Sequence, residues 1–336
     1  MVRPFSLRDV FFVQNLDRDK VRFDLPAGWV HSRSSTHLAL LAYFFRGGLG
    51  AETYVLKGRE KATSLRGYAQ VRRRRSRPEQ DILCLAPSLD HDPDAALAWE
   101  CLLHYACQSA GEQGIQRLYA RVIGSAGEEE VLRGFDFHLY AHEDIFRLPA
   151  AASRPAAQVT EGVIRHRQAK DEWGLHQLYL ECTPHGVQTA EGLISANSGM
   201  ELGPAVPAAS EEQFVLEAEG RICGYLRLLS GGEGCCLTLM ASPEHEIRRR
   251  ELLTWGIEAL SRGRPRPIFC GVRQYDKGTQ AILQEYGFEF LTTAALLAKT
   301  LAVRVREPVF RLVPALEKRV ERAPTHTYEE YTAGKL

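Results

Sequence analysis

The sequence lacks an excess of charge of either sign, a long apolar run and a signal-peptide pattern. Its 42 basic and 42 acidic residues cancel, which excludes a protein whose whole surface attracts nucleic acid. The longest apolar run, residues 38–45, is far shorter than the ~20 residues of a membrane-spanning helix. The opening MVRPFSLRDV has no charged segment followed by an apolar one. These absences predict a cytoplasmic protein with no membrane partner.

Cysteine motifs and several catalytic motifs are also missing. The eight cysteines include no C-x-x-C pair, and most lie in apolar stretches such as GCCLTLM. We therefore expect reduced, buried thiols and no metal site. The absence of a G-x-S-x-G turn, a Walker loop and a Rossmann glycine pattern excludes the common hydrolases, NTPases and dehydrogenases.

What the sequence does contain is a faint internal repeat. Its 336 residues exceed twice the ~150 of a typical domain. Gly67-Tyr68 recurs as Gly224-Tyr225, a helix with Trp99 recurs as one with Trp255, and Gly134-Phe135 recurs as Gly287-Phe288. Because the three matches keep their order and spacing, they indicate a duplicated unit.

The repeat and the composition predict four segments. The first domain covers 1–150, and the Ala- and Pro-rich stretch at 151–160 is a linker. The second domain covers 161–305. Residues 306–336 form an extended arm and tail, whose apolar residues, such as Phe310, could cross onto the other half or onto a second copy in a homodimer.

The second half shows its elements most clearly, in the order β-α-α-β-β-β-α-β-α-β. A helix over 244–261 follows Ser242 and Pro243, and its counterpart over 94–109 follows Asp92 and Pro93. Both beginnings have a capping side chain and then a proline in the first turn.

This order, with the hairpin EAEGRICGYL and the later AILQEYGF, resembles the GCN5-related N-acetyltransferase (GNAT) superfamily. The resemblance covers 163–303, and more weakly 6–148. It implies a mixed α/β fold of two tandem acetyltransferase-like domains, each a twisted, mainly antiparallel sheet with helices on both faces. It also implies transfer of an acetyl or acyl group from coenzyme A to the amine of a small molecule or peptide.

In that family the splayed fourth and fifth strands, and the helix after the fourth, hold acetyl-coenzyme A. On this chain the resemblance places the cofactor in the second half. The residues it implies are Leu239, Met240 and Ala241 on the strand, and Arg248, Arg249 and Arg250 on the helix.

The family's glycine-rich phosphate loop is missing from both halves. SLDHDPD brings Asp90, Asp92 and Asp94 to that place in the first half, where carboxylates would repel phosphate, and ASPEHEIRRR occupies it in the second. The three arginines could supply charge instead. The alternative, which we favour, is a solvated helix face with Glu244, Glu246 and Glu251 nearby.

No catalytic residue is assigned from the sequence. Many members of the family use a tyrosine four residues before the Gly-Phe pair as an acid, but Leu283 and Glu130 stand there. Asp276 stands where the family often has asparagine, and Tyr286 is expected in the core. A general base among His166, His176 and His185 is conceivable, but nothing in the sequence selects one of them.

The densest charge run is Arg72 to Arg75 with Arg77. A basic ribbon can follow a phosphate backbone, but no aromatic residues are interleaved for stacking on bases. We therefore expect an exposed hairpin edge protected by charge, and no nucleic-acid partner.

Three functions remain open: an acyl-coenzyme A-dependent N-acyltransferase, a non-catalytic binding protein that descends from such enzymes, and an RNA-associated protein that uses the arginine run. The missing glycines favour the second on physical grounds, whereas the family resemblance favours the first.

Overall fold

The computed structural model describes residues 1–30, 34–44, 51–58, 65–74, 77–124, 126–150, 162–192, 210–242 and 246–301. The strands in these ranges are Val2–Pro4 (β1), Val21–Arg22 (β2), Ala51–Lys57 (β3), Arg66–Arg73 (β4), Glu79–Ala86 (β5), Arg117–Ile123 (β6), His138–Leu148 (β7), Val163–His166 (β8), Ser210–Ala218 (β9), Arg221–Ser230 (β10), Cys235–Ala241 (β11), Ile268–Arg273 (β12) and Glu289–Thr300 (β13). The helices there are Val10–Leu16 (α1), Leu25–Val30 (α2), Ser35–Phe44 (α3), Ala95–Glu112 (α4), Ala126–Gly134 (α5), Glu172–Cys182 (α6), His185–Glu191 (α7), Glu246–Ser261 (α8) and Lys277–Glu285 (α9).

The predicted central helices, α4 and α8, form where their apolar spacing indicated. In α4 the residues Ala95, Ala98 and Leu102 are buried, three or four positions apart along one face. Asp92, the expected cap, accepts a hydrogen bond from the backbone nitrogen of Asp94 at 2.9 Å. The N-cap, however, is Asp94 and the helix begins at Ala95, so the predicted cap at Asp92 and the predicted first helical position at Pro93 lie two residues too early.

One predicted strand starts later and runs further than expected. The pattern placed a strand over 135–140, but Asp136 has a left-handed backbone with φ of 59°. The strand β7 begins at His138 and continues to Leu148. It therefore extends almost to the predicted linker over 151–160.

All the described strands belong to one sheet, in which the two halves exchange their last strands. The order is β1-β3-β4-β5-β6-β13-β7-β12-β11-β10-β9-β8, with β2 set against β5. β13 of the second half pairs antiparallel with β6, and β7 of the first half pairs antiparallel with β12. Each end of the sheet thus has five strands of one half followed by the sixth strand of the other.

The repeated Gly-Tyr pairs mark where the sheet is closely packed. A Cβ on Gly67 would lie 2.5 Å from the carbonyl oxygen of Ala86, and one on Gly224 would lie 2.3 Å from Leu252 of α8. Only glycine fits at such separations. The tyrosines that follow, Tyr68 and Tyr225, are 0% and 1% exposed.

Two large apolar clusters form the core, one in each half. The first surrounds Trp99 of α4 and also takes Leu297 from β13. The second surrounds Leu252 of α8 and takes Phe146 and Leu148 from β7. Burying one such side chain contributes about 1.5–3 kcal/mol, so each exchanged strand helps to stabilise the opposite half. Consistently, Met1–Arg304 form one compact unit.

The predicted linker over 151–160 and the predicted arm over 306–336 lie outside the described residues. The division into domains at 1–150 and 161–305 remains a prediction.

Candidate functional site

The second half contains a wedge between two parallel strands. β11 and β12 pair only over residues 235–237 and 268–270, and then diverge. Beyond that point Thr238, Leu239 and Met240 are partly exposed, and no strand of the described ranges pairs with their free edge. This edge of β11 therefore offers backbone groups to a ligand.

The first half has the same wedge, but β2 fills it. β5 and β6 pair only over 79–81 and 117–119 before they diverge. Beyond residue 81, where β6 no longer pairs with β5, β2 pairs with the same edge of β5. The backbone nitrogen of Phe23 donates a hydrogen bond to Leu83 O at 2.8 Å. Residues 82–86 of β5 are at most 3% exposed. The wedge of the first half is thus part of the core.

A cavity of about 190 Å³ opens where the wedge of the second half meets the first half. Leu239, Met240 and Ala241, the predicted cofactor residues of β11, line it. Its charged lining comes from both halves: Asp24, Arg74, Arg77, Asp81, Arg121, Glu143, Glu191, Arg227, Arg273 and Asp276. The site is therefore built from both copies of the repeat.

Five guanidinium groups and four carboxylates form a cluster of ion pairs at this cavity. Its pairs are Arg74 with Asp81 (2.6 Å) and Glu79 (3.4 Å), Arg77 with Glu79 (2.7 Å), Arg117 with Glu79 (3.7 Å), Arg121 with Glu143 (3.4 Å), and Arg273 with Glu191 (2.7 Å) and Glu143 (3.8 Å). Burial raises the pKa of Glu79, although the neighbouring arginines oppose the change. Charges at such depth are tolerated only when they are paired.

Glu191, the last residue of α7, joins the two sides of this cluster. Its carboxylate accepts hydrogen bonds from Tyr179 Oη at 2.8 Å and from Arg273 Nη2 at 2.7 Å. Its backbone oxygen accepts one from Arg77 Nη2. One residue of the second half therefore positions an arginine from each half.

Aromatic rings support two of the arginines. The Cζ atom of Arg74 lies 4.0 Å from the ring centre of Tyr119, and that of Arg273 lies 5.7 Å from the ring centre of Tyr140. These contacts have cation–π geometry. Burial raises the pKa of Tyr140 to about 12, so its hydroxyl keeps its proton at neutral pH.

Gly271 on β12 makes room for a buried carboxylate. A Cβ on this residue would lie 2.8 Å from Cδ of Glu143, which is 7% exposed. Arg121 and Arg273 flank that carboxylate. The glycine is therefore required by the ion-pair cluster.

The three predicted arginines of α8 have different surroundings. Arg249 is 7% exposed and lies 3.8 Å from Asp276, so the solvated-face interpretation is wrong for it. Arg250 pairs with Glu246 at 2.7 Å and with Glu285 at 2.6 Å. Arg248 is half-buried, and no carboxylate of the described residues forms an ion pair with it. None of the three lines the cavity.

The expected exposed hairpin edge at the arginine run is wrong. β4 pairs with β3 on one side and β5 on the other. Arg72 and Arg77 are 7% and 4% exposed, and Arg74 forms ion pairs with two carboxylates, whereas Arg73 is exposed. Arg75 lies outside the described residues. Part of the run is therefore buried in the protein interior. Arg72 and Arg73 differ in exposure because alternate side chains of a strand point to opposite faces.

Of the other candidates from the sequence, Asp276 lines the cavity, and the rest lie away from the lining. Leu283 is fully buried, and Tyr286 packs against the same core with its hydroxyl 3.1 Å from Thr254 Oγ1. His166, His176 and His185 are not among the lining residues. No cluster of metal-ligating side chains occurs among the described residues.

All eight cysteines are free, and five of them are buried, whereas Cys101, Cys107 and Cys182 are partly exposed. Cys182 lines the cavity, and its Sγ donates a hydrogen bond to Ala241 O at 3.1 Å. Burial raises the pKa of this thiol to about 12. It is therefore a protonated donor rather than a nucleophile at neutral pH.

Neither Glu191 nor Arg273 could be identified from the sequence, because each is a single charged residue outside any motif. Arg77 was noticed only as part of a charge run. The sequence also repeats the spacing R-x-x-x-x-x-D, from Arg3 to Asp9 and from Arg165 to Asp171. This repeat is a further sign of duplication. Both pairs form bidentate ion pairs at 2.7–2.8 Å.

None of the helices in the described ranges has both the length and the apolar content that a membrane span requires.

Solved structures with a similar fold include a GCN5-related N-acetyltransferase from Sphaerobacter thermophilus. It has a TM-score of 0.53 at 12% identity, with 89% of this chain and 95% of that chain covered. A tandem GNAT protein from the clavulanic acid biosynthesis pathway has a TM-score of 0.54 at 13% identity, with 90% and 99% covered. A Drosophila protein has a TM-score of 0.50 at 14% identity, with 90% and 98% covered.

No protein-family model and no curated protein sequence matches the chain. The likeness is one of fold, and it extends over both halves. The chain has the fold of the GCN5-related N-acetyltransferase superfamily, in its tandem form.

Proposed function

We propose that the chain is an N-acyltransferase that takes an acyl group from acyl-coenzyme A and has one working site, in the second half. The observation that carries this proposal is the open edge of β11, which borders the cavity between the halves. The matching edge of β5 is covered by β2. The superfamily fold makes acyl transfer the reaction class to test first, by analogy.

The residues present fit the coenzyme in part. Leu239, Met240 and Ala241 would hold it along the free strand edge, and Arg248 would meet its phosphates, since Arg249 and Arg250 already pair with carboxylates. When bound, the coenzyme would supply a thioester: a C–N bond to the acceptor amine forms, the C–S bond breaks, and the amine proton ends on the coenzyme thiol.

The chain's own residues would bind and orient the acceptor. Glu191 holds Arg77 and Arg273 in place beside the wedge. Tyr140 keeps its hydroxyl proton at neutral pH, so it can donate a hydrogen bond to a polar group of the acyl-acceptor substrate. Positioning an amine next to a thioester supplies much of the rate of such a transfer.

The second candidate is a non-catalytic small-molecule-binding protein. The neutralised Arg249 and Arg250 favour it, because they leave little free charge for a pyrophosphate. The RNA hypothesis loses its main support, since Arg72 and Arg77 are buried.

Titration calorimetry of the full chain with acetyl-coenzyme A separates the two candidates. We expect one binding site per chain, because only the wedge of the second half is open. Absence of heat at millimolar acetyl-coenzyme A would leave the non-catalytic binding protein, and two equivalent sites would contradict the assignment to one half.

A further inference from the structure

The ion-pair cluster reaches beyond the cavity, because Arg117 and Glu79 do not line it. Its guanidinium groups belong to Arg74, Arg77, Arg117, Arg121 and Arg273, and its carboxylates to Glu79, Asp81, Glu143 and Glu191. Within the lining itself five arginines face five carboxylates, so their formal charges cancel. The other charged lining residues, Asp24, Arg227 and Asp276, each pair with an opposite charge outside the lining.

Two of these arginines have hydrogen-bonding capacity that the protein does not use. Nη1 of Arg77 and Nη1 of Arg273 are buried and have no hydrogen-bond partner among the described residues. The side chain of Arg77 is only 3% exposed. Buried donors without a partner are rare and costly, so they indicate a missing acceptor. Both side chains line the cavity and are held by Glu191.

The cavity has room for a ligand that supplies that acceptor. Its volume of about 190 Å³ exceeds many times the ~10–15 Å³ that a single water needs. A small metabolite therefore fits in it. The rings of Tyr119 and Tyr140 give the same space apolar faces.

We propose that this cavity binds the carboxylate of a small amino acid, held by Arg77 and Arg273. A guanidinium binds carboxylate or phosphate through paired N–H donors, but a site whose formal charges cancel buries a singly charged carboxylate at a lower cost than a doubly charged phosphate. This inference rests on the proposed function for one step: the amino group of the same molecule is the acyl acceptor, and the product is an N-acyl amino acid.

Binding of the acid can be measured without the coenzyme. The full chain is titrated calorimetrically with each standard amino acid and with the corresponding carboxamide, which keeps the side chain and the amine but removes the negative charge. We expect at least one amino acid to bind with one site per chain, and its carboxamide to bind at least about tenfold more weakly. Inorganic phosphate is the competing probe.

Two variants and a control locate the binding. Arg273→Gln should lower the affinity for the amino acid at least about tenfold. Arg273→Lys should restore only part of this affinity, because lysine keeps the charge but lacks the planar guanidinium. Arg73→Gln, on the exposed side of β4, should bind like the parent. Thermal unfolding of each variant identifies any that fails to fold, and the acid-against-amide comparison on the parent chain still stands in that case.

Each adverse result has a distinct meaning. Equal binding of acid and carboxamide, tighter binding of inorganic phosphate than of any amino acid, or no amino-acid binding at 10 mM would each overturn the inference. Failure of acetyl-coenzyme A to bind, with amino-acid binding intact, would instead remove the proposed transfer and leave a carboxylate-binding site.

Discussion

The wedges of the two halves differ in what occupies them. In the first half β2 pairs with the edge of β5, and Phe23 packs at 5.9 Å from the ring of Trp99. In the second half the matching edge of β11 borders a cavity, with Leu239 and Met240 partly exposed. One copy of the repeat thus uses the wedge for packing and the other keeps it open. The difference shows that a shared fold does not imply a shared site.

The same contrast extends to the ion pairs at the start of each half. Asp9 is bonded by two cations, Arg3 and Lys57, at 2.7–2.8 Å. In the second half Arg165 instead holds two carboxylates, Asp171 and Glu217, at 2.7–2.9 Å. The geometry is repeated while the balance of charge is reversed.

The largest expected effect comes from removing a side chain of the closed wedge. Phe23→Ala should lower the free energy of unfolding by about 3–5 kcal/mol, because Phe23 is 3% exposed and fills space beside Trp99. The matched change in the open wedge, Met240→Ala, should cost less than about 1.5 kcal/mol, because Met240 is partly exposed. Denaturant unfolding of both variants measures the difference. Equal losses would show that the two wedges are packed alike.

A smaller effect is expected on coenzyme affinity. Arg248→Ala should weaken binding of acetyl-coenzyme A about tenfold, the loss of one charge-assisted contact. Arg250→Ala is the control and should change affinity less than about threefold, since its guanidinium already pairs with Glu246 and Glu285. Calorimetric titration of both variants gives the comparison. If both variants lose the same affinity for acetyl-coenzyme A, or if Arg248→Ala loses none, then Arg248 does not bind the phosphates.

A third effect, on how stability depends on pH, is expected from the buried ion pair of Asp9. Burial alone would raise the pKa of Asp9, but hydrogen bonds from Arg3 and Lys57 outweigh it and hold the pKa well below its ordinary value. A carboxyl with a lowered pKa stabilises the fold above its unfolded pKa of ~3.9, and this contribution is lost as the pH falls toward the folded value. Asp9→Asn should therefore be less stable than the parent at pH 7, and the two should converge at low pH.

Melting temperatures of the parent and Asp9→Asn, recorded from pH 7 to pH 2, test this expectation. Asp171→Asn is the matched variant in the second half, and the pKa of Asp171 is likewise lowered, first by its hydrogen bond to Arg165. Asp171→Asn should lose less stability at pH 7 than Asp9→Asn, because Arg165 keeps Glu217 as a partner. A constant gap between Asp9→Asn and the parent at every pH would refute the electrostatic explanation.

Much of the fold could be predicted because it depends on local periodicity. The spacing of apolar residues in α4 and the repeated Gly-Tyr pairs are both visible in the sequence. The exchange of β7 and β13 could not be predicted, since pairing between strands about 150 residues apart leaves no local pattern.

The site was predictable only on β11. Leu239, Met240 and Ala241 follow from the family layout, and they do line the cavity. Arg77 and Arg273 meet only through Glu191, a contact that depends on how the halves pack. The filling of the first wedge depends on residues 21–23, a stretch with too little periodicity to interpret.

The exchanged strands have a consequence for how such a chain can diverge. Two separate copies of one gene product, joined through the same central strands, would carry identical wedges, and any substitution that closed one would close both. In a single polypeptide the sixth strands still bind the halves to each other, yet each copy mutates independently. Covalent fusion therefore allows one copy of the repeat to close its wedge and become structural while the other copy keeps an open ligand site.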